Sequence, residues 1–206
     1  MSKTLKRYSD SDRMNHWFIA IMFFLSALSG LAFFHPSLYF LNNLFGGGTW
    51  TRILHPFLGV LMFLGFIIMF FRVVKDNIFK RADREWRKQS GRMLRGEIDP
   101  NLPVGKYNYG QKMIFWLMTL SLLALIITGV LFWRPWFAPN FSVEVLRIAS
   151  LIHAISAWVL VLSVFVHIYA AIWVKGTMRA MTQGTVTEEW AKTHHPLWYK
   201  ETTGKN

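Results

Sequence analysis

The chain has 206 residues, 53% hydrophobic and 17% aromatic, with 23 Lys and Arg against 11 Asp and Glu for a formal charge of +12. The length would suit one or two soluble domains, but the apolar residues gather into four long blocks, which excludes an ordinary water-soluble globule. There is no cysteine, so disulfides, a protein-held iron–sulfur cluster and c-type haem attachment through this chain are excluded as well.

In chain order, residues 1–15 are polar and hold Ser9, Asp10, Ser11 and Asp12, good cap residues for a following helix. The first apolar block, His16–Phe34, ends on Phe33, Phe34, His35 and Pro36 rather than on a small-residue cleavage pattern. It is therefore read as a spanning helix and not as a signal peptide. The second block, His55–Phe71, is short and is expected to extend by a turn into Arg52 or Arg72, with Pro56 in its first turn. The third, Met113–Trp133, stops at Trp133-Arg134-Pro135-Trp136, where the proline ends the helix and the tryptophans suit a membrane interface. The fourth, Ile148–Val174, runs 27 residues without Lys, Arg, Asp or Glu, where about 20 apolar residues cross a bilayer. No internal repeat or low-complexity run stands out. The pattern predicts an all-α, integral membrane four-helix bundle as one domain over 1–206, with a loop at 72–112 and a tail at 175–206.

Charge orients the bundle. Residues 1–15 hold four Lys and Arg, 72–112 eleven and 175–206 five, whereas the other side has only Arg52, Arg134 and Arg147. The positive-inside bias then puts both termini and the long loop in the cytoplasm. Most of these cations are read as membrane-surface charge that attracts anionic lipid, and the placement argues against nucleic acid as a partner. The loop at 72–112 is too long for a plain turn and is expected to fold over the cytoplasmic face or dock a partner there.

Ionisable residues inside a span mark functional sites by default. His153 and His167 lie 14 residues apart in the fourth block. That is just under four turns, so they leave by nearly one face about 21 Å apart along the axis. Depth pairs His55 with His153 near the periplasmic surface and His16 with His167 near the cytoplasmic one. Zinc usually takes three or four protein ligands, whereas two opposed imidazoles fill both axial positions of a haem and favour electron transfer. Gly30, on the His16 face, and Gly59, one turn after His55, would leave room for a flat macrocycle, though glycines also serve ordinary close helix packing. His35 is read as interfacial, and His194 and His195 lie in the polar tail with no evident partner. The plain alternative is a set of buried, hydrogen-bonded histidines.

Several motifs point further: Arg13-Met-Asn-His16-Trp17, Ile53-Leu-His55-Pro56-Phe57, Lys106-Tyr-Asn-Tyr-Gly-Gln-Lys112, Trp133-Arg-Pro135, Trp173-Val-Lys-Gly176 and Trp190-Ala-Lys-Thr-His-His-Pro-Leu-Trp-Tyr199. With the histidine pairs, they make nearly the whole chain resemble the membrane-anchoring cytochrome b (gamma) subunit of respiratory formate dehydrogenases. The resemblance implies two b haems on the four paired histidines. It also implies a menaquinone or ubiquinone site at Asn108, Gly110 and Gln111 with His167, where a plain turn is the simpler reading of Asn-Tyr-Gly. Implied partners are an iron–sulfur beta subunit and a molybdenum- or tungsten-containing catalytic alpha subunit at the bacterial inner membrane. A higher oligomer of that heterotrimer would be compatible. Electrons would run from the clusters through the His55/His153 haem and the His16/His167 haem to quinone, with protons taken from the cytoplasm, contributing to proton motive force. No residue of the chain would oxidise formate. The alternatives are the cytochrome b of an uptake hydrogenase or related molybdoenzyme and, in another class, a haem-free helical anchor or transporter.

Overall fold

The computed structural model describes residues 3–95, 97, 102–134 and 136–204. In chain order the elements are β1 (Thr4–Lys6), α1 (Asp10–Phe34), α2 (Gly48–Val73), α3 (Arg81–Lys88), α4 (Ser90–Leu94), α5 (Tyr109–Leu131), α6 (Val143–Trp173), α7 (Thr177–Gln183), β2 (Thr185–Thr187), α8 (Glu188–His194) and α9 (Pro196–Thr203). Four of them are long and apolar enough to cross a membrane. The shortest, α5, has 23 residues, about 34 Å of helix against a hydrocarbon layer of about 30 Å.

Each spanning helix begins earlier than its uncharged block, because polar residues serve as caps and first turns. Ser9 Oγ accepts from Asp12 N at 3.1 Å while Asp12 Oδ2 accepts from Ser9 N at 3.1 Å, a reciprocal cap that starts α1. Helix α2 reaches through both Arg52 and Arg72, so Pro56 lies in its interior rather than in the expected first turn. The carbonyl of Arg52, four residues back, therefore has no N–H to accept from Pro56. Pro135 lies outside the described residues, and α5 ends at Leu131, two residues before the expected Trp133.

The chain divides into two compact units. One comprises residues 14–70 and 117–164, the middle stretches of the four long helices. Its core is Phe23, Met62, Phe66, Leu122 and Leu160. Large apolar side chains such as Phe24, Leu64, Leu120, Leu151 and Leu162 face outward, while Ser26, Ser29, Thr51, Thr128 and Ser163 are buried. Exposure of that much apolar surface is unsupportable in water and ordinary in lipid. Small residues let the helices close up: a Cβ on Gly65 would sit 3.0 Å from Phe18 and Ile19. Beside them, Asn15 Nδ2 donates to Gly65 O at 3.0 Å.

The other unit comprises residues 1–13, 71–116 and 165–206, so the basic segments at both termini and in the long loop come together in it. Its core is Ala180, Val186, Trp190, Ala191, Trp198 and Tyr199. Strands β1 and β2 pair antiparallel with Leu5 opposite Val186, tying the N-terminal arm to the tail. Gly184 makes the turn into β2 at φ +78°, and a Cβ there would lie 2.9 Å from Tyr8 O. The loop carries α3, anchored to α5 by a buried pair in which Lys112 Nζ sits 2.8 Å from Asp83 Oδ2.

Candidate functional site

In the unit of residues 14–70 and 117–164, α2 contributes His55 and α6 contributes His153. Their ring centres lie 6.4 Å apart. For metal–imidazole bonds of about 2.0 Å, two rings facing each other across one ion would have centres about 6.3 Å apart. The observed separation matches that distance, with the ring planes inclined at 65°.

Their orientation is set by hydroxyls. Ser29 Oγ is 2.8 Å from His55 Nδ1 and donates to Ser26 O at 3.0 Å. Thr128 Oγ1 is 2.9 Å from His153 Nδ1 and donates to Ala124 O at 2.6 Å. A carbonyl only accepts, so each hydroxyl spends its proton there and each imidazole donates Nδ1–H to the hydroxyl oxygen. That leaves the Nε2 lone pair of both histidines available to a metal.

The residue after each hydroxyl is glycine, and the reason is contact. A Cβ on Gly30 would lie 3.2 Å from His55 Cε1, and one on Gly129 would lie 3.4 Å from His153 Cε1. One turn further on, Phe33 meets His55 edge-on with centres 6.2 Å apart, and Phe132 meets His153 at 5.0 Å. The same cradle thus occurs twice, as Ser29-Gly30-x-x-Phe33 on α1 and Thr128-Gly129-x-x-Phe132 at the end of α5. Each holds a histidine on the helix that follows it in the bundle. The sequence does contain a short internal repeat, and the hydroxyl-glycine pair preceding each histidine by about 25 residues was the missed signal.

These side chains open onto a cavity of about 830 Å³, lined mainly by apolar groups with Gly30, Gly59, Gly129, His55 and His153 among them. Cofactor sites run from about 300 to 1,000 Å³. Gly59 has nothing within 4 Å of where its Cβ would stand, so it leaves space there. No group of three or more His, Cys, Asp or Glu that could hold a bare metal ion occurs among the described residues. Two imidazoles beside an apolar cavity of this size fit the chemistry of haem.

The remaining expected residues are distributed as follows. His16, on α1, is half-buried with its ring edge against Trp17, centres 5.5 Å apart. His167 lies on α6 in the other unit. Asn108 and Gln111 form the cap of α5: Asn108 Oδ1 accepts from Gln111 N, and Gln111 Oε1 from Asn108 N, both at 2.9 Å. The cap uses the two amide oxygens, and the NH2 groups remain as donors. Trp86 of α3 covers Gly110, whose Cβ would meet its ring at 3.3 Å.

His195 corrects the expectation of a partnerless tail residue. It is 2% exposed, donates from Nδ1 to Gly105 O at 2.7 Å and faces Arg7 with Nε2 at 3.4 Å. Burial first, and the Arg7 cation second, push its pKa down to about 3, so it is neutral. Arg7 also donates to Lys106 O and lies over the rings of Trp198 and Trp190 at 4.7 and 5.1 Å. This is a structural lock, formed from three distant stretches of chain. His35 caps the turn at Pro36, its Nδ1 accepting from Ser37 N at 3.2 Å.

Four spanning helices around a cofactor-sized cavity with opposed, tautomer-fixed histidines define a helical membrane haem protein. Residues 7–184 match the family model of prokaryotic cytochrome b561. The chain is 47% identical over 198 residues to the "Formate dehydrogenase, cytochrome b556(fdo) subunit" of Escherichia coli K12, covering 96% of this chain and 93% of that one. It is 44% identical to that organism's nitrate-inducible formate dehydrogenase cytochrome b556 subunit, over 97% and 92% of the two chains. Against the formate dehydrogenase cytochrome b556 subunit of Haemophilus influenzae the identity is 42%, over 95% and 82%. The chain belongs to the prokaryotic cytochrome b561 family and, within it, to the formate dehydrogenase cytochrome b subunits.

Proposed function

We propose that this membrane cytochrome b subunit carries electrons from an iron–sulfur partner through two b haems to a quinone, as part of a formate dehydrogenase complex in the bacterial inner membrane. His55 and His153 hold one haem and His16 and His167 the other. Both termini lie in the cytoplasm, and the catalytic molybdenum or tungsten subunit works on the opposite side. The observation that carries this reading is the facing of His55 and His153 at 6.4 Å with both Nδ1 atoms committed to hydroxyls. Bound between two imidazoles, a haem has both axial positions filled and supplies one-electron transfer rather than oxygen binding.

The protein's own contribution is to orient Nε2, exclude water with apolar walls and present the site to a quinone. For the quinone we assign Asn108, Gly110 and Gln111 with His167. The NH2 donors of Asn108 and Gln111 have the polarity that a quinone carbonyl needs, and quinone reduction draws two protons from the adjoining solution. An uptake-hydrogenase cytochrome of the same family is disfavoured by the relatives described above, which are formate dehydrogenase subunits.

The test is a pyridine haemochrome assay with a reduced-minus-oxidised spectrum on purified protein. Two low-spin b haems per chain are expected. One haem would mean that one histidine pair is wrongly assigned, and folded but colourless protein would sink the proposal in favour of a haem-free anchor or transporter.

A further inference from the structure

Two arginines line the cavity of His55 and His153. Arg52 and Arg134 are the only permanently charged groups among its described lining residues. Neither forms an ion pair among the described residues. Arg52 stands three residues before His55 on α2, so the two side chains share a helix face. Arg134 follows the end of α5 and is flanked by Trp133 and Trp136. Those rings lie 5.0 Å apart and meet Phe57 edge-on at 5.2 and 6.3 Å, an aromatic brace that carries the Arg134 corner to the side of α2.

Both arginines come from the side of the bundle that is otherwise poor in cations. Its two connecting segments, 35–54 and 134–147, contain one carboxylate, Glu144, which does not line the cavity. Both arginines are exposed as well as lining the cavity, so an anion at that edge can meet them with charge-assisted hydrogen bonds. The cavity is thus amphiphilic. It is cationic where α2 begins and α5 ends, and apolar inward at Phe23, Leu122 and Leu160.

We propose that Arg52 and Arg134 form a carboxylate-binding site that receives the two propionates of the haem held by His55 and His153. This rests on the haem reading above. The macrocycle would then enter with its propionate edge toward the arginines and its vinyl and methyl edge toward the apolar end. Guanidinium–carboxylate pairing is charge-assisted and can be bidentate, which fixes rotation about the iron–nitrogen axis as well as adding affinity.

The experiment uses the full-length protein with R52Q, R134Q, the double variant and R52K, plus H153A to identify which spectral component belongs to this haem. Two readouts are needed: loss of haem to excess apomyoglobin, and the midpoint potential of each component by spectral redox titration. Wild-type protein is also reconstituted with iron protoporphyrin and with its dimethyl ester, which lacks the propionate charges. The expected results are haem loss roughly tenfold faster in each Arg→Gln variant, a lower midpoint potential for this component alone, and near-normal behaviour of R52K. Removing a nearby cation favours the more positive ferric state, which sets the sign of the potential change. Discrimination between haem and ester, clear in the wild type, should largely vanish in the double variant. Unchanged loss rates and potentials, or equal retention of haem and ester by the wild type, would overturn the proposal. Equal retention of haem and ester by the wild type overturns the proposal even if a variant does not fold, and R52K, which keeps the charge, separates a lost cation from a lost fold. Wild-type protein without haem would instead overturn the haem reading itself.

Discussion

The two compact units solve the burial of polar groups in opposite ways. In residues 14–70 and 117–164 the buried polar groups are mostly short hydroxyls that spend their protons on carbonyls of their own helix, as at Ser29, Thr128 and Ser163. His55 and His153 bring imidazoles together in that interior. In residues 1–13, 71–116 and 165–206 whole ions are buried and matched across long stretches of sequence, with Lys112 on Asp83 and Arg7 over the indoles of Trp190 and Trp198. Lipid offers no water to satisfy a polar group, and hydroxyls such as those of Ser29, Thr128 and Ser163 are satisfied within their own helix. The second unit uses long-range polar pairing as structure. The lesson is that a buried histidine means different things in the two settings: His153 has one nitrogen committed and one offered, while both nitrogens of His195 face protein groups.

The largest effect that would break this comparison is loss of a haem. His55→Ala and His153→Ala should each abolish the same spectral component, and His16→Ala and His167→Ala the other. Loss of different components within either pair would refute the pairing. Next come the cradles. Ser29→Ala or Thr128→Val removes the acceptor that fixes Nδ1–H, and partners of this kind typically matter about 10–100-fold in metal affinity. Haem retention should fall on that scale, with helical content unchanged. The smallest effect belongs to the tail. His195 is neutral when folded, with its pKa near 3 against 6.5 unperturbed. The folded state therefore binds fewer protons, and this contribution is complete above about pH 6.5 and declines as pH falls toward 3. The protection factors of the α9 amides should fall over that window, and His195→Asn should flatten the dependence.

Much of the bundle was legible in the sequence because a membrane simplifies the code. Long uncharged blocks identify spans, and the span count, the histidines worth attention and the opposition of His55 and His153 all follow from hydropathy and depth. Helix starts were less legible. Asp10–His16 and Gly48–Leu54 are polar or mixed, and whether such residues cap or extend a helix depends on hydrogen bonds that no window average records. Pro56 was misplaced for the same reason.

By itself, then, the sequence determined which segments are apolar enough to leave water and which ionisable groups go with them, because transfer free energy is a property of composition. Tertiary structure alone decided the rest: that Ser29 and Thr128 orient the two imidazoles, that Gly30 and Gly129 are the surfaces those rings rest on, and that His195 closes on Gly105 and Arg7. Those contacts join residues 24 to 188 positions apart. A directional hydrogen bond between them exists only once packing has brought donor and acceptor within about 3 Å.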